Sequence, residues 1–283
     1  MNVVPLASSS KGNAYLVEHE GTVILIDCGL SCRELHKRIK EKVGKEGQTR
    51  FANFSCEMIQ AVLITHSHGD HVKGLEPFLK KYDVPVYANM MTAETIVSEF
   101  QVPEDAFVCF ENGQEFEIGP FLINPFSIPH DTSDPVGYLV KGMGNGERGT
   151  GNGEWGMGNG ERGMGVECEC YFHGTDIGTP LDSIGVKLRE ATIATLESNH
   201  DPVMLRTSGR APCLIQRIAG PRGHLANWEA AELVKKFASP RLKKLMLAHL
   251  SHQCNAAHLA LGTMRETLRE IGREDIVLEV LSP

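Results

Sequence analysis

Short apolar runs, each closed by Gly, Ser, Pro or a charge, recur along most of the chain and predict strands, while a few longer stretches carry helical spacing. Residues 3–7, 13–18 and 22–27 read as three short strands separated by Ser/Gly and Glu/Gly turns, an antiparallel β opening. Over residues 33–45 the apolar positions Leu35, Ile39 and Val43 fall four apart among charges, which predicts an amphipathic helix lying on a sheet. A strand at 61–64, a helix beginning in 75–82, a strand at 84–88, a helix over 91–100 and a strand pair across 115–128 around Gly119-Pro120 continue the alternation. Strands follow at 136–140, 166–172, 191–197, 244–247 and 276–280, with helices over 227–237, Asn227 serving as N-cap, and over 256–271. Two β-rich halves with helices outside predict an α/β/β/α sandwich, and 283 residues suit one domain over 1–283.

One segment breaks the pattern. In residues 142–165, eleven of 24 positions are Gly, and Gly-Met-Gly-Asn-Gly-Glu-Arg-Gly stands at 142–149 and again at 156–163. A low-complexity duplication between two strand-like segments predicts a flexible hairpin insertion with no catalytic part.

Composition adds bounds. With 41% apolar and 23% charged residues the chain has the make-up of a globular core. It opens without a basic and then apolar leader, and no apolar stretch approaches the roughly 18 residues of a membrane span, so neither export nor a membrane is expected. Eight scattered cysteines without a CxxC pair suit free thiols in a reducing cytoplasm. A net charge of −8 argues against coating nucleic acid nonspecifically, although phosphodiester chemistry needs only a local basic surface and bound cations.

The densest chemistry is Thr65-His66-Ser67-His68-Gly69-Asp70-His71, directly after the strand at 61–64, with Gly69 allowing a sharp turn. Imidazole and carboxylate suit Zn, Mn or Fe, and on a tight loop His66 and His68 can face one ion while Asp70 and His71 face another. Two divalent metal ions are therefore expected, since a merely solvated polar loop explains such crowding poorly. Asp27, ending the strand at 22–27, reads either as a turn residue or as the acceptor of a ring N–H from a ligand histidine.

The His-Asp loop resembles the signature of the metallo-β-lactamase superfamily, whose fold is an α/β/β/α sandwich. The resemblance implies further ligands: His130 in Ile128-Pro129-His130-Asp131, Asp176 in Gly174-Thr175-Asp176-Ile177-Gly178 and His249 in Leu247-Ala248-His249-Leu250-Ser251. It then assigns His66, His68 and His130 to one metal, Asp70, His71 and His249 to the other, and Asp176 to both. Across residues 5–260 the chain is similar to the YycJ/WalJ-type branch, through Leu6-Ala7-Ser8-Ser9-Ser10-Lys11-Gly12-Asn13, Asp27-Cys28-Gly29-Leu30-Ser31, Glu197-Ser198-Asn199-His200-Asp201 and Gly223-His224-Leu225-Ala226-Asn227. That branch implies a nuclease acting on double-stranded DNA from the 5′ end. The Gly-rich insertion departs from it, as does Ser251-His252-Gln253-Cys254-Asn255, where relatives carry an acidic residue and paired asparagines.

The expected reaction is hydrolysis of a nucleic-acid phosphodiester by a metal-bound hydroxide, with Asp70 catalytic as well as ligating. His200 and His224 are candidates for orienting a phosphate or protonating the leaving oxygen, with surface histidines as the plain alternative. Ser9, Asn13, Asn199, Arg210, Arg217, Asn227 and Ser251 are candidate substrate contacts. Residues 206–223 hold Arg206, Arg210, Arg217 and Arg222 without an Asp or Glu, either an anion-binding stretch or a solvated loop. The competing readings are a small-molecule thioester or lactone hydrolase of the same fold, and a noncatalytic metal scaffold or redox sensor.

Overall fold

Seven consecutive buried residues in the second strand, Gly12–His19, alternate between two cores: Leu16 packs outward, Tyr15 and Val17 inward. Such a strand must be covered on both faces. The computed structural model, which describes residues 1–43, 54–144 and 168–281, supplies that cover with two sheets and helices outside each.

The first sheet runs in chain order through β1 (Asn2–Ser9), β2 (Gly12–His19), β3 (Thr22–Ile26), β4 (Ile59–Leu63), β5 (Val86–Asn89) and β6 (Phe107–Phe110). It is antiparallel to β3 and parallel from there on. Helices α1 (Cys32–Val43), α2 (Gly69–Val72), α3 (Leu75–Leu79) and α4 (Met90–Phe100) lay Leu35, Ile39, Val72, Phe78 and Ile96 on its outer face.

The second sheet contains β7 (Phe116–Ile118), β8 (Phe121–Ser127), β9 (Val136–Gly142) and β10 (Cys170–Gly174), antiparallel in sequence. After α5 (Asp182–Glu190) it continues in parallel through β11 (Ile193–Glu197), β12 (Lys244–Ala248) and β13 (Val277–Val280). Between them come α6 (Pro202–Arg206), α7 (Pro212–Ile218), α8 (Asn227–Phe237) and α9 (Ala257–Glu270). Ile184 of α5, Val234 of α8 and Met264 of α9 cover its outer face. Tyr15, Ile26, Leu63, Phe121, Tyr138, Tyr171 and Met246 fill the layer between the sheets. The order α/β/β/α is the one the sequence predicts, and the parallel strands all send their carboxyl ends to one rim.

Five elements were not foreseen: α2, β6, α5, α6 and α7. In α7 no residue is buried, and Leu214 and Ile218 face a cavity instead of a core, so the helix leaves no apolar stripe to detect. In α5 the stripe is one turn long, and Gly185 lies where a Cβ would come within 2.1 Å of the Phe237 ring. The N-cap of α8 is Ala226, not Asn227, whose side chain turns instead to Ser198 and Asn255. The strand expected at 166–172 starts at Cys170. β9 and β10 are antiparallel neighbours, and the Gly-rich stretch from 145 onward, read as their hairpin insertion, lies outside the described residues. Cys28, Cys32, Cys56, Cys109, Cys170, Cys213 and Cys254 carry free thiols, and no described helix is long and apolar enough to cross a membrane.

Candidate metal centre

The rim collects one polar residue from the end of nearly every central strand. Asp27 follows β3, the histidine loop follows β4, Asp176 follows β10, Glu197 ends β11 and His249 follows β12. Asp27 (φ 60°), Asp176 (φ 59°) and His249 (φ 56°) adopt left-handed backbone, which costs about 1–3 kcal/mol per residue and persists where the surroundings enforce it. Gly29 admits the β3 loop beneath the ligands, because a Cβ there would lie 1.7 Å from the Asp70 carbonyl oxygen. Gly69 carries no such demand: it opens α2, and an added Cβ would meet only Phe100, at 3.9 Å. The turn expected at Gly69 is therefore made by the helix start, which places Asp70 and His71 on one short helical turn.

The side chains converge. Ligand atoms of His66, His68 and His130 lie within 4.8 Å of one another, as do those of Asp70, His71 and His249, and those of His66, His71 and Asp176. His68 Nδ1 is 3.3 Å from His130 Nε2, and His71 Nε2 is 3.5 Å from Asp70 Oδ2 and 3.3 Å from Asp176 Oδ2. His66 Nε2 and His249 Nε2 are buried without a hydrogen-bond partner. An unpaired buried ring nitrogen is costly, and a cation among these carboxylates satisfies it. The seven residues fit a divalent-metal site.

Four of the five rings are aimed from behind. His71 Nδ1 lies 2.7 Å from Asp27, which also accepts the backbone N–H and hydroxyl of Thr65. His130 Nδ1 meets the Gly223 carbonyl at 3.1 Å, and His66 Nδ1 meets Thr65 Oγ1 at 3.0 Å. His249 Nδ1 meets Glu197 Oε1 at 2.8 Å, and the same oxygen lies 2.9 Å from His224 Nδ1. Glu197 Oε2 accepts the N–H groups of Ile177 and Leu225. Such partners fix which nitrogen faces the metal. Asp27 thus lies against a ring nitrogen of His71, the placement that its acceptor reading requires. Glu197 has the equivalent role for His249 and was missed, although its signal, a carboxylate closing an apolar strand, is the one Asp27 gives.

The field is strongly negative. Burial opposes protonation of His71, but Asp27, Asp70 and Asp176 outweigh it and raise its pKa well above the ordinary range. His249 is likewise raised to about 10, against burial, by Asp176, Asp70 and Glu197. Burial works to raise Asp70, yet His71 and His249 hold it far below the usual carboxylate range. By contrast His66, desolvated and beside His71, is pushed well below 6.5. Protons and divalent cations compete for the same lone pairs, so a pocket that grips protons this firmly also attracts metal.

Above the ligands opens a cavity of about 240 Å³, on whose wall lie Asp70, Asn199, Arg210, Arg217, His224 and Ser251. Other candidates stand elsewhere. His200 is buried beside Ala226 and does not reach the wall. Ser9 is buried, and its neighbour Ser10 faces the cavity. Asn13 holds ligands, its Nδ2 lying 3.2 Å from Asp70 Oδ2 and 3.0 Å from His71 Nε2. Arg206 and Arg222 are exposed and off the wall. The departure after His249 leaves its brace intact: Asn255 Nδ2 reaches the carbonyls of Ser198 and Asn199, and Asn199 Nδ2 donates to the His249 carbonyl.

A profile of the metallo-beta-lactamase superfamily matches residues 10–143. Exodeoxyribonuclease YycJ of Bacillus anthracis is 30% identical over 271 residues, 94% of this chain and 89% of the relative. Exodeoxyribonuclease WalJ of Streptococcus pneumoniae serotype 2 is 29% identical over 268 residues, 94% and 87% of the two chains. Among solved structures, Zn²⁺-bound PqqB of Methylobacterium extorquens shares the fold with a TM-score of 0.65 at 12% identity, covering 100% of this chain and 99% of that one. With this sandwich and this donor set at the carboxyl rim, the chain belongs to the metallo-β-lactamase superfamily. Its place there is the YycJ/WalJ-type branch.

Proposed function

We propose that the chain is a hydrolase of nucleic-acid phosphodiesters, a DNA exonuclease working from the 5′ end, with two divalent ions of Zn, Mn or Fe. The observation that carries this reading is the convergence of seven buried or half-buried ligands beneath an arginine-lined cavity, in a chain whose full-length relatives are exodeoxyribonucleases. His66, His68 and His130 would hold one ion, Asp70, His71 and His249 the other, and Asp176 would contact both. Bound there, the ions supply Lewis acidity and water ionised near neutral pH.

The chain's own groups do the rest. Arg210 and Arg217 stand on the wall to take phosphate oxygens, a task for which the planar guanidinium is suited. His224 gives its Nδ1 to Glu197, leaving Nε2 to protonate the leaving oxygen. Burial lowers the His224 pKa, but Glu197 and Asp176 prevail and raise it above the ordinary histidine value, which favours the acid form. The cavity is smaller than the roughly 300–1,000 Å³ of common small-molecule sites and suits one linkage of a chain lying across the rim.

The test is a substrate panel for the Mn²⁺- or Zn²⁺-loaded protein: 5′-labelled duplex DNA, a thioester and a lactone. Release of 5′ nucleotides well above turnover of the other two is expected. Turnover of thioester or lactone with the DNA left intact would overturn the nuclease reading in favour of a small-molecule hydrolase.

A further inference from the structure

The two halves of the centre differ in charge. Asp70 and Asp176 both lie beside His71 and His249, whereas His66, His68 and His130 form a corner of imidazoles that shares Asp176 alone with that half, its Oδ1 lying 3.8 Å from His130 Nε2. A second carboxylate, Asp131, faces this corner from the cavity wall: its Oδ1 lies 3.4 Å from His130 Nε2 and 3.6 Å from His68 Nε2. Its other oxygen, Oδ2, accepts Arg217 Nε at 2.6 Å. Arg217 is 64% exposed and Asp131 25%, so water and substrate reach the pair from above.

We propose that Asp131 is a positioning residue with two duties: it adds a second negative charge, beside that of Asp176, to the imidazole corner, and it parks Arg217 over the metal centre until a substrate phosphate takes the guanidinium. The inference rests on the nuclease reading for the phosphate and on the metal site for the corner. Arg217 can be exchanged because an exposed ion pair contributes only about 0–1 kcal/mol, while a phosphate offers the guanidinium two parallel hydrogen bonds. As the phosphate draws Arg217 away, the Asp131 carboxylate is left facing the metal corner undivided. Substrate arrival thereby strengthens the field on the ion nearest to it.

The pair makes an unusual demand on its variants. A purely structural ion pair loses the same thing whichever partner is removed. Here the two partners act on the metal with opposite sign. Mn²⁺ alone, titrated into the metal-stripped full chain by calorimetry, is the probe. Asp131→Asn should weaken the affected site about tenfold, the scale found when groups behind metal ligands are changed. Asp131→Glu should restore most of that affinity. Arg217→Ala should leave Mn²⁺ affinity at or above that of the unaltered chain, yet raise KM for duplex DNA. Equal weakening by Asp131→Asn and Arg217→Ala, or no change in Asp131→Asn, would overturn the proposal while leaving the metal site in place. A chain that takes up no Mn²⁺ at all would end both.

Discussion

Asp176→Asn is expected to lower the rate of hydrolysis at least about 10³-fold, equivalent to ~4 kcal/mol of transition-state stabilisation. Asp176 is 2% exposed and central: Oδ2 is 3.3 Å from His71 Nε2, while Oδ1 is 3.3 Å from His249 Nδ1 and 3.8 Å from His130 Nε2. Asparagine keeps the shape and removes the charge, and it turns an N–H donor toward rings that already hold protons. The substitution should therefore cost metal affinity at both halves of the centre, because the two carboxylate oxygens face rings of both. Initial rates and Mn²⁺ binding, measured on the same preparation, check it. Retention of both ions with near-normal turnover would remove Asp176 from the reaction.

The second large effect falls on a residue that would touch neither metal nor substrate. Glu197→Gln should lower Mn²⁺ affinity by about 10- to 100-fold and reduce kcat more than it changes KM. The buried carboxylate accepts from His249, His224, Ile177 N–H and Leu225 N–H, and is held at about 2, despite burial, by His224 and His249. A glutamine amide has one acceptor oxygen for these four donors, so at least one donor loses its partner. The pH dependence gives a separate signature. Glu197 raises the His224 pKa, so its neutral replacement lets that pKa fall; the protonated acid is then lost at a lower pH, and the alkaline limb of the rate profile moves down. A profile with its alkaline limb unmoved would show that His224 is not the proton donor.

What could be seen in the sequence follows from how locally each feature is encoded. The strands of the inter-sheet layer are apolar on successive residues, and α1 and α8 carry long stripes, so the sandwich shows through. Elements whose apolar side faces a cleft, such as α7, or whose stripe lasts a single turn, such as α5, give no periodic signal. The candidate ligands His66, His68, Asp70 and His71 are legible because one loop holds them all. His130, Asp176 and His249 lie 59, 105 and 178 residues beyond His71 and approach it only in space, and alone they look like any surface histidine or aspartate; resemblance brought them in. Asp131 and Glu197 were missed for the same reason, their partners being assembled by strand ends that meet only in the fold. Ser9 and Ser10 show the finest limit: β1 ends at the buried Ser9 and Ser10 opens the turn, so a one-residue shift of the strand end decides which serine faces the cavity.

The most direct test is a stepwise Mn²⁺ titration of the metal-stripped chain, with release of 5′ nucleotides from duplex DNA followed at every step. Two equivalents bound per chain are expected, with activity rising as the second is taken up and absent in the Asp176→Asn chain carried alongside. Full activity at one equivalent, or none at two, would contradict a two-ion nuclease.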